Sequence, residues 1–385
     1  MEYNTLPCYK LQDDKSFDFK NKLKKRSQSL LFCLKQVKDG RATSGRRHPL
    51  VSILFMVFCA VLCGCKTIKK CHLWGLVHKD WIGKYVPLPY GIPDERTIAR
   101  CLAKVNMLSL IAAWRLWQDI IYDKTASFDG KTMRGIKKKG IIRHILSLFS
   151  HTDHQILGQV GVDEKENEIP AFRRMLTTIK VQGMLLLGDA LHTQTDTVKA
   201  IREAKADYLL QVKLNQKSLY NWLRELFSKE SVNDYVLIDE KKRGRDITTH
   251  CSIITNPLTC SLFHSEWEGV KTLICIHRYG TRDGNIMDEW VYAISSRELD
   301  ATKAYEKIHE HWCIENNLHW QKDHTYTEDS MTLRCGNAPQ VMTFFRSMCI
   351  SIISFCNFKS VSNVIDGFET RPKDMKLFAE CIQLI

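Results

Sequence analysis

The chain is 385 residues long and 44% hydrophobic, which points to a globular protein of two domains, or of one large domain with an insertion. Its formal net charge is +13, from 56 Lys and Arg against 43 Asp and Glu, so an acidic polymer is the expected partner and nucleic acid the first candidate. Fifteen scattered cysteines in a chain of this size, behind an opening "MEYNTLPCYK" that lacks a signal-peptide layout, argue against a small disulfide-stapled secreted protein; reduced thiols in a cytoplasm are expected instead.

Residues 1–36 read as a basic lead-in. Between Lys20 and His48 there are ten Lys or Arg against one acid, Asp39, which suits either a solvated arm or a contact with a DNA backbone. "PLVSILFMVFCAVLCGC", Pro49 to Cys65, falls short of the roughly 18 to 20 apolar residues of a membrane span and has basic flanks. A buried helix is expected there, and no membrane partner. Cys63, Cys65, Cys71 and His72 in "CGCKTIKKCH" lack the spacing of a zinc site and read as buried free thiols. The pattern is helical from Leu50 to Tyr122, broken by "YVPLPYGIPDERTIARCL", where prolines end one segment and Asp94 or Thr97 starts the next. Residues 37–123 are therefore expected to form a small helical domain.

From Thr125 the character changes to short apolar runs of strand length: "ASFD", "HILSLFS" and "QILGQVGV". A helix-like "EIPAFRRMLTTIK" follows, then the run "MLLLGD", a helix near "TDTVKAIREAKA" and the run "DYLLQVKL". Strands in a meander, then strands alternating with helices, predict an α/β architecture: a mixed sheet covered by helices. Residues from about 217 to 288 read as a β-rich insertion, with "DYVLI", "THCSIIT" and "KTLICIHRYG" around the basic turn "KKRGRD". A last strand, "EWVYAISS", precedes helix from about Ala301 to Gln321 and again from Ala338 to about Phe355, and 359–385 remain as a C-terminal tail.

Two of the apolar runs end in an aspartate, Asp129 and Asp189. A charge at the end of a buried strand costs free energy unless it is paired or bound to a metal. Open α/β sheets place their ligands at the C-terminal ends of strands, so on neighbouring strands these carboxylates would converge. A third acid is then sought, because a hard cation such as Mg²⁺ is held by a few carboxylates plus waters and phosphates. "YEKIHEHWCIENNLHWQKDHTYTEDS" offers Glu315. At 3.6 residues per turn Ile308, His311, Trp312, Leu318, His319 and Lys322 fall within about 60° of it. That face suits a site holding metal and phosphate, and equally a glutamate paired on its own helix surface.

The blocks "FDGKTMRG", "NEIPAF", "GDALHTQ", "DYLLQVKLNQ" and "HWCIENNLHWQKDHTYTEDS" followed by "RCGNAPQ" resemble, in order, those of the bacterial insertion-sequence transposases that include the H-repeat-associated proteins. "DGRATSGRRHPL" and "GIPDERTIAR" are similar to the helical N-terminal domain associated with that family, and the resemblance runs from about Val37 to Phe358. It implies a ribonuclease H-like catalytic domain over 124–358 with a DDE triad of Asp129, Asp189 and Glu315. It also implies two Mg²⁺ ions, with Mn²⁺ as a substitute, that serve strand cleavage at transposon ends and strand transfer into target DNA. The implied partners are double-stranded DNA, as terminal inverted repeats and target, and a second copy of the chain; the implied location is the bacterial cytoplasm, on the nucleoid. Lys131, Arg134, His192, Lys213, Arg243, Arg245, His311, His319 and Lys322 are the candidate DNA contacts, with Gln194 and Asn215 nearby. The family usually carries a leucine where Lys322 stands and an arginine where His309 stands. Asp323 and Glu328 are alternatives to Glu315, and a non-catalytic DNA-binding relative or a ribonuclease H-like nuclease is the competing function.

Overall fold

The computed structural model describes residues 28–118, 124–136, 140–151, 154–163, 166–242, 244–255, 266–356, 358, 360–381 and 384. Its N-terminal part is helical: α1 (Leu30–Leu34), α2 (Leu50–Leu62), α3 (Ile68–Val77), α4 (Lys79–Gly83), α5 (Glu95–Ala103) and α6 (Met107–Gln118). α2 is apolar on every side and buried along nearly its whole length, as expected of "LVSILFMVFCAVL". α5 starts where Asp94 accepts a hydrogen bond from the Thr97 N–H, 2.9 Å away.

The strands are β1 (Thr125–Thr132), β2 (His144–Ser150), β3 (Gln155–Val162), then α7 (Glu168–Leu176), β4 (Leu185–Gly188), α8 (Thr195–Glu203), β5 (Asp207–Val212) and α9 (Lys217–Lys229). β6 (Asp234–Lys242), β7 (Arg245–Thr255), β8 (Thr272–Arg282) and β9 (Asn285–Ser295) complete one sheet in the order β3-β2-β1-β4-β5-β9-β8-β7-β6. β1 is parallel to β4 and β4 to β5, while the remaining neighbours are antiparallel. The sheet is thus mixed and flanked by helices, as the sequence predicts.

After β9 come α10 (Ala301–His311), a π-helical turn at Glu315–His319, α11 (Trp320–Tyr326), α12 (Ala338–Phe355), α13 (Val361–Thr370) and α14 (Pro372–Cys381). Alternation along β1 and β4 assigns their faces. Phe128 and Leu186 pack with α7 and α8, while Leu185 and Leu187 pack with Ala304 and Ile308 of α10. On the β1–β2–β3 half, Ile145, Phe149 and Ile156 join a core shared with α2, α6 and α12. Trp114 Nε1 donates to the Ile156 carbonyl at 2.7 Å, fixing α6 against β3.

Three boundaries differ from expectation. Leu30, Leu31 and Leu34 of the lead-in are buried in α1 and belong to the core. The segment 217–288 opens with α9, whose Leu219, Leu223 and Leu226 line one helical face, and its end falls inside β9. The tail forms α13 and α14, which bury Val364, Phe368 and Phe378.

Gly188 tests the packing of β4: a side chain there would overlap the ring of Phe128. Gly188→Ala is expected to cost about 1–3 kcal/mol in chemical denaturation, the usual penalty of overpacking. An unchanged midpoint would show that Phe128 has room to move.

Candidate active site

Thr125, Ala126 and Ser127 of β1 pair with Leu185, Leu186 and Leu187 of β4, each couple sixty residues apart. Asp129 and Asp189 stand at the same offset, two positions beyond the last couple. Carried two positions on, that register sets Asp129 of β1 level with Asp189, the residue just past the end of β4. Asp189 also caps the short 3₁₀ turn Ala190–His192, its Oδ1 accepting from the Leu191 N–H at 3.1 Å.

The other wall of this site comes from the end of α10 and the π-helical turn. Ser127 Oγ is hydrogen bonded to His151 Nε2 at 2.7 Å and to His311 Nδ1 at 3.2 Å. Burial lowers the His311 pKa, against the opposing charges of Asp129, Asp189 and Glu315, so all three acids lie close enough to act on this one ring. His319 Nε2 stands 3.3 Å from Asp129 Oδ2, and burial lowers its pKa too, against that carboxylate. Glu315 is exposed, in the π turn between the two histidines. The wider π turn departs from the 3.6-residue spacing expected over 308–322, and π bulges are frequent at functional sites.

Behind the carboxylates, on the opposite face, Glu168 bridges two histidines: Oε1 is 2.7 Å from His144 Nε2 and Oε2 is 3.1 Å from His192 Nε2. Burial would raise the Glu168 pKa, yet the two imidazoles hold it down at about 2. The pair sits directly over Gly130, where any side chain would collide with it, so the glycine after Asp129 is set by packing. The His192 ring in turn lies edge-on to Phe128 and Phe172, which stack at 3.9 Å. Sequence reasoning missed Glu168 and His144; the acid opening "NEIPAF" was the available signal.

The expected DNA contacts divide by exposure. Lys213 is exposed after β5, and Arg134 is exposed after β1, 3.5 Å from Asp329. Arg245 lies in the β6–β7 hairpin, 3.5 Å from Glu240; Arg243 is outside the described residues. Lys131 is ion-paired with Asp323. Asn215 donates to the Ala190 carbonyl at 2.6 Å, and Gln194 accepts from Gln216 at 3.1 Å, so both brace the turn after Asp189. His192 and Lys322 are each 1% exposed, which corrects their expected role as surface phosphate contacts. Lys322 lies near Glu328 inside the protein, its pKa pushed down to about 8 by burial. Glu328 is also 1% exposed and accepts from Arg346 Nη1 at 3.1 Å and from Thr343. Burial and these partners turn it away from the third-acid position.

The donor set at the strand ends is two carboxylates, oxygen ligands that suit a hard divalent cation. Among the described residues no group of three or more His, Cys, Asp and Glu side chains is already arranged to hold a metal. A carboxylate pair is nonetheless compatible with an ion that takes its other ligands from water and phosphate. No helix among the described residues is long and apolar enough to cross a membrane.

Acids at strand ends on a basic chain suit metal-assisted chemistry on nucleic acid. Residues 117–352 match the model of the transposase DDE domain, and residues 31–118 match that of the domain associated with it. The chain belongs to this DDE transposase family. It is 32% identical over 346 residues to "Putative transposase YncI" of Escherichia coli O157:H7, covering 86% of this chain and 88% of that one. It is 30% identical over 334 residues to "H repeat-associated putative transposase YhhI" of Escherichia coli K12, covering 83% of this chain and 88% of that one. A solved structure of a piggyBac transposase synaptic complex with hairpin DNA aligns at 12% identity and a TM-score of 0.43, covering 99% of this chain and 80% of that one, a likeness too distant to carry an argument.

Glu168→Gln tests the bridge beside the site. A depressed carboxylate pKa gives stability that is full above the ordinary value of 4.5 and is lost as the pH falls through about 2. The variant should be about 1–3 kcal/mol less stable near pH 5, with the gap closing toward pH 2. A gap that stays constant across that range in urea titrations would show that the imidazoles do not hold the carboxylate.

Proposed function

We propose that Asp129, Asp189 and Glu315 are the acidic triad with which this transposase cleaves phosphodiesters at the ends of an insertion sequence and joins them to target DNA. The observation that carries the reading is the level placement of Asp129 and Asp189 across the parallel β1–β4 pair. His311 supports the third member, since the charges of Asp129, Asp189 and Glu315 all act on its ring against the burial that lowers its pKa. The α/β sheet with acids at its strand ends suits a ribonuclease H-like catalytic domain.

Divalent ions, two Mg²⁺ with Mn²⁺ as a substitute, would be held by Asp129 and Asp189 with Glu315, and would supply charge stabilisation for the attacking and leaving oxygens. The chain's own residues do the positioning. Ser127 fixes the His311 ring, and His319 borders Asp129. Asn215 and Gln216 brace the turn that presents Asp189. Lys213, Arg134 and Arg245 supply exposed cations for backbone phosphates, and the expected substrates are terminal inverted repeats and target DNA. Two ends must be brought together, so a homodimer forms on DNA, on the nucleoid in the cytoplasm.

Asp129→Asn, Asp189→Asn and Glu315→Gln should each lower Mg²⁺-dependent nicking of end-bearing duplex by about 10²–10³-fold or more, while gel-shift affinity stays within a few-fold. Nicking retained in one variant removes that residue from the triad. Wild-type protein that binds the ends and cuts with neither Mg²⁺ nor Mn²⁺ would favour the non-catalytic DNA-binding reading.

A further inference from the structure

A cavity of about 290 Å³ opens between the N-terminal helices and the segment that follows α11. Its polar lining includes Lys66, Thr67, Ser330, Thr332, Arg334 and Arg346, and among the described residues no carboxylate lines it. Lys66 and Thr67 stand at the N-terminus of α3, a ten-residue helix whose first N–H groups favour an anion. Arg346 is 1% exposed. Its Nη1 donates to Glu328 and its Nη2 to the Lys66 carbonyl at 3.0 Å, while its Nε has no hydrogen-bond partner. Lys322 adds a second buried cation near the same carboxylate, so two buried cations share Glu328 as their buried anion. Excess buried charge is costly unless a counter-ion meets it.

We propose that this cavity binds a backbone phosphate of the DNA, held by Arg346, Lys66, Arg334 and the N-terminus of α3. The lining segment is joined to the loop after β1, where Arg134 pairs with Asp329 at 3.5 Å. The lining segment thus packs beside the loop that follows β1. This assignment rests on the reading of the chain as an enzyme of DNA ends.

The rim residues give the test, because Lys66→Ala keeps the backbone carbonyl that Arg346 bonds and Arg334 is exposed. Fluorescence anisotropy over a salt series, with an end-bearing duplex and with an unrelated duplex, counts phosphate contacts from the slope of log K against log salt. The Lys66→Ala/Arg334→Ala protein should bind about tenfold more weakly, with a slope shallower by about 1 to 2. Arg334→Glu alone should act in the same direction. Unchanged slope and affinity in both variants overturn the proposal. Failure of the wild type to prefer the end duplex counts instead against end recognition, while the slope with either duplex still reads the cavity. Inorganic phosphate separates the sources: if it raises the Tm of the wild type but not of the double variant, and the DNA slope is unchanged, the cavity takes a free anion and the DNA assignment falls.

Discussion

The parallel pairing of β1 with β4 is the constraint on which the rest of the site depends. Its register couples residues sixty apart and so sets Asp129 level with Asp189. Adjacent strands lie about 4.8 Å apart, close enough for carboxylates on neighbouring strand ends to share one cation. Among the described residues, neither acid forms an ion pair with an arginine or a lysine. His311 and His319 stand beside them, and burial lowers the pKa of both rings.

Cationic side chains near the site are committed elsewhere. Lys131 goes to Asp323 and Arg346 to Glu328, whose charge also acts on the buried Lys322. The Lys131–Asp323 pair ties α11 to β1, and the Arg346–Glu328 pair ties the turn after α11 to α12. Glu168, between His144 and His192, locks the opposite face, and Gly130 is the glycine that lets it approach. The strand ends are thus braced from both faces of the sheet.

Much of this was legible in the sequence, for physical reasons. Strands such as "HILSLFS" and "LLLG" are short apolar runs between turns, and the run "LVSILFMVFCAVL" is apolar all round; local composition specifies both. Asp129 and Asp189 stood out because an acid at the end of a buried run is a local anomaly. Sequence could not supply the pairing of strands, which is non-local, nor the π turn at Glu315–His319, which breaks the 3.6-residue spacing assumed for that helix. Lys322 was misread for that reason: extrapolation placed it beside Glu315, whereas the chain buries it near Glu328. Glu168 was missed because its partners, His144 and His192, lie twenty-four residues away on either side and meet it only in the folded chain. The helix α9 was absorbed into a β-rich insertion, although Leu219, Leu223 and Leu226 carry helical spacing.

The central claim is that the level pair Asp129 and Asp189 is the divalent-metal site. Anomalous diffraction from crystals of the protein with end DNA and Mn²⁺ tests it most directly. The account predicts a manganese peak in contact with both carboxylates, with Glu315 completing the shell of the same or a neighbouring ion. A peak held by Glu168, Asp323 or Glu328 in place of the aspartate pair would contradict it.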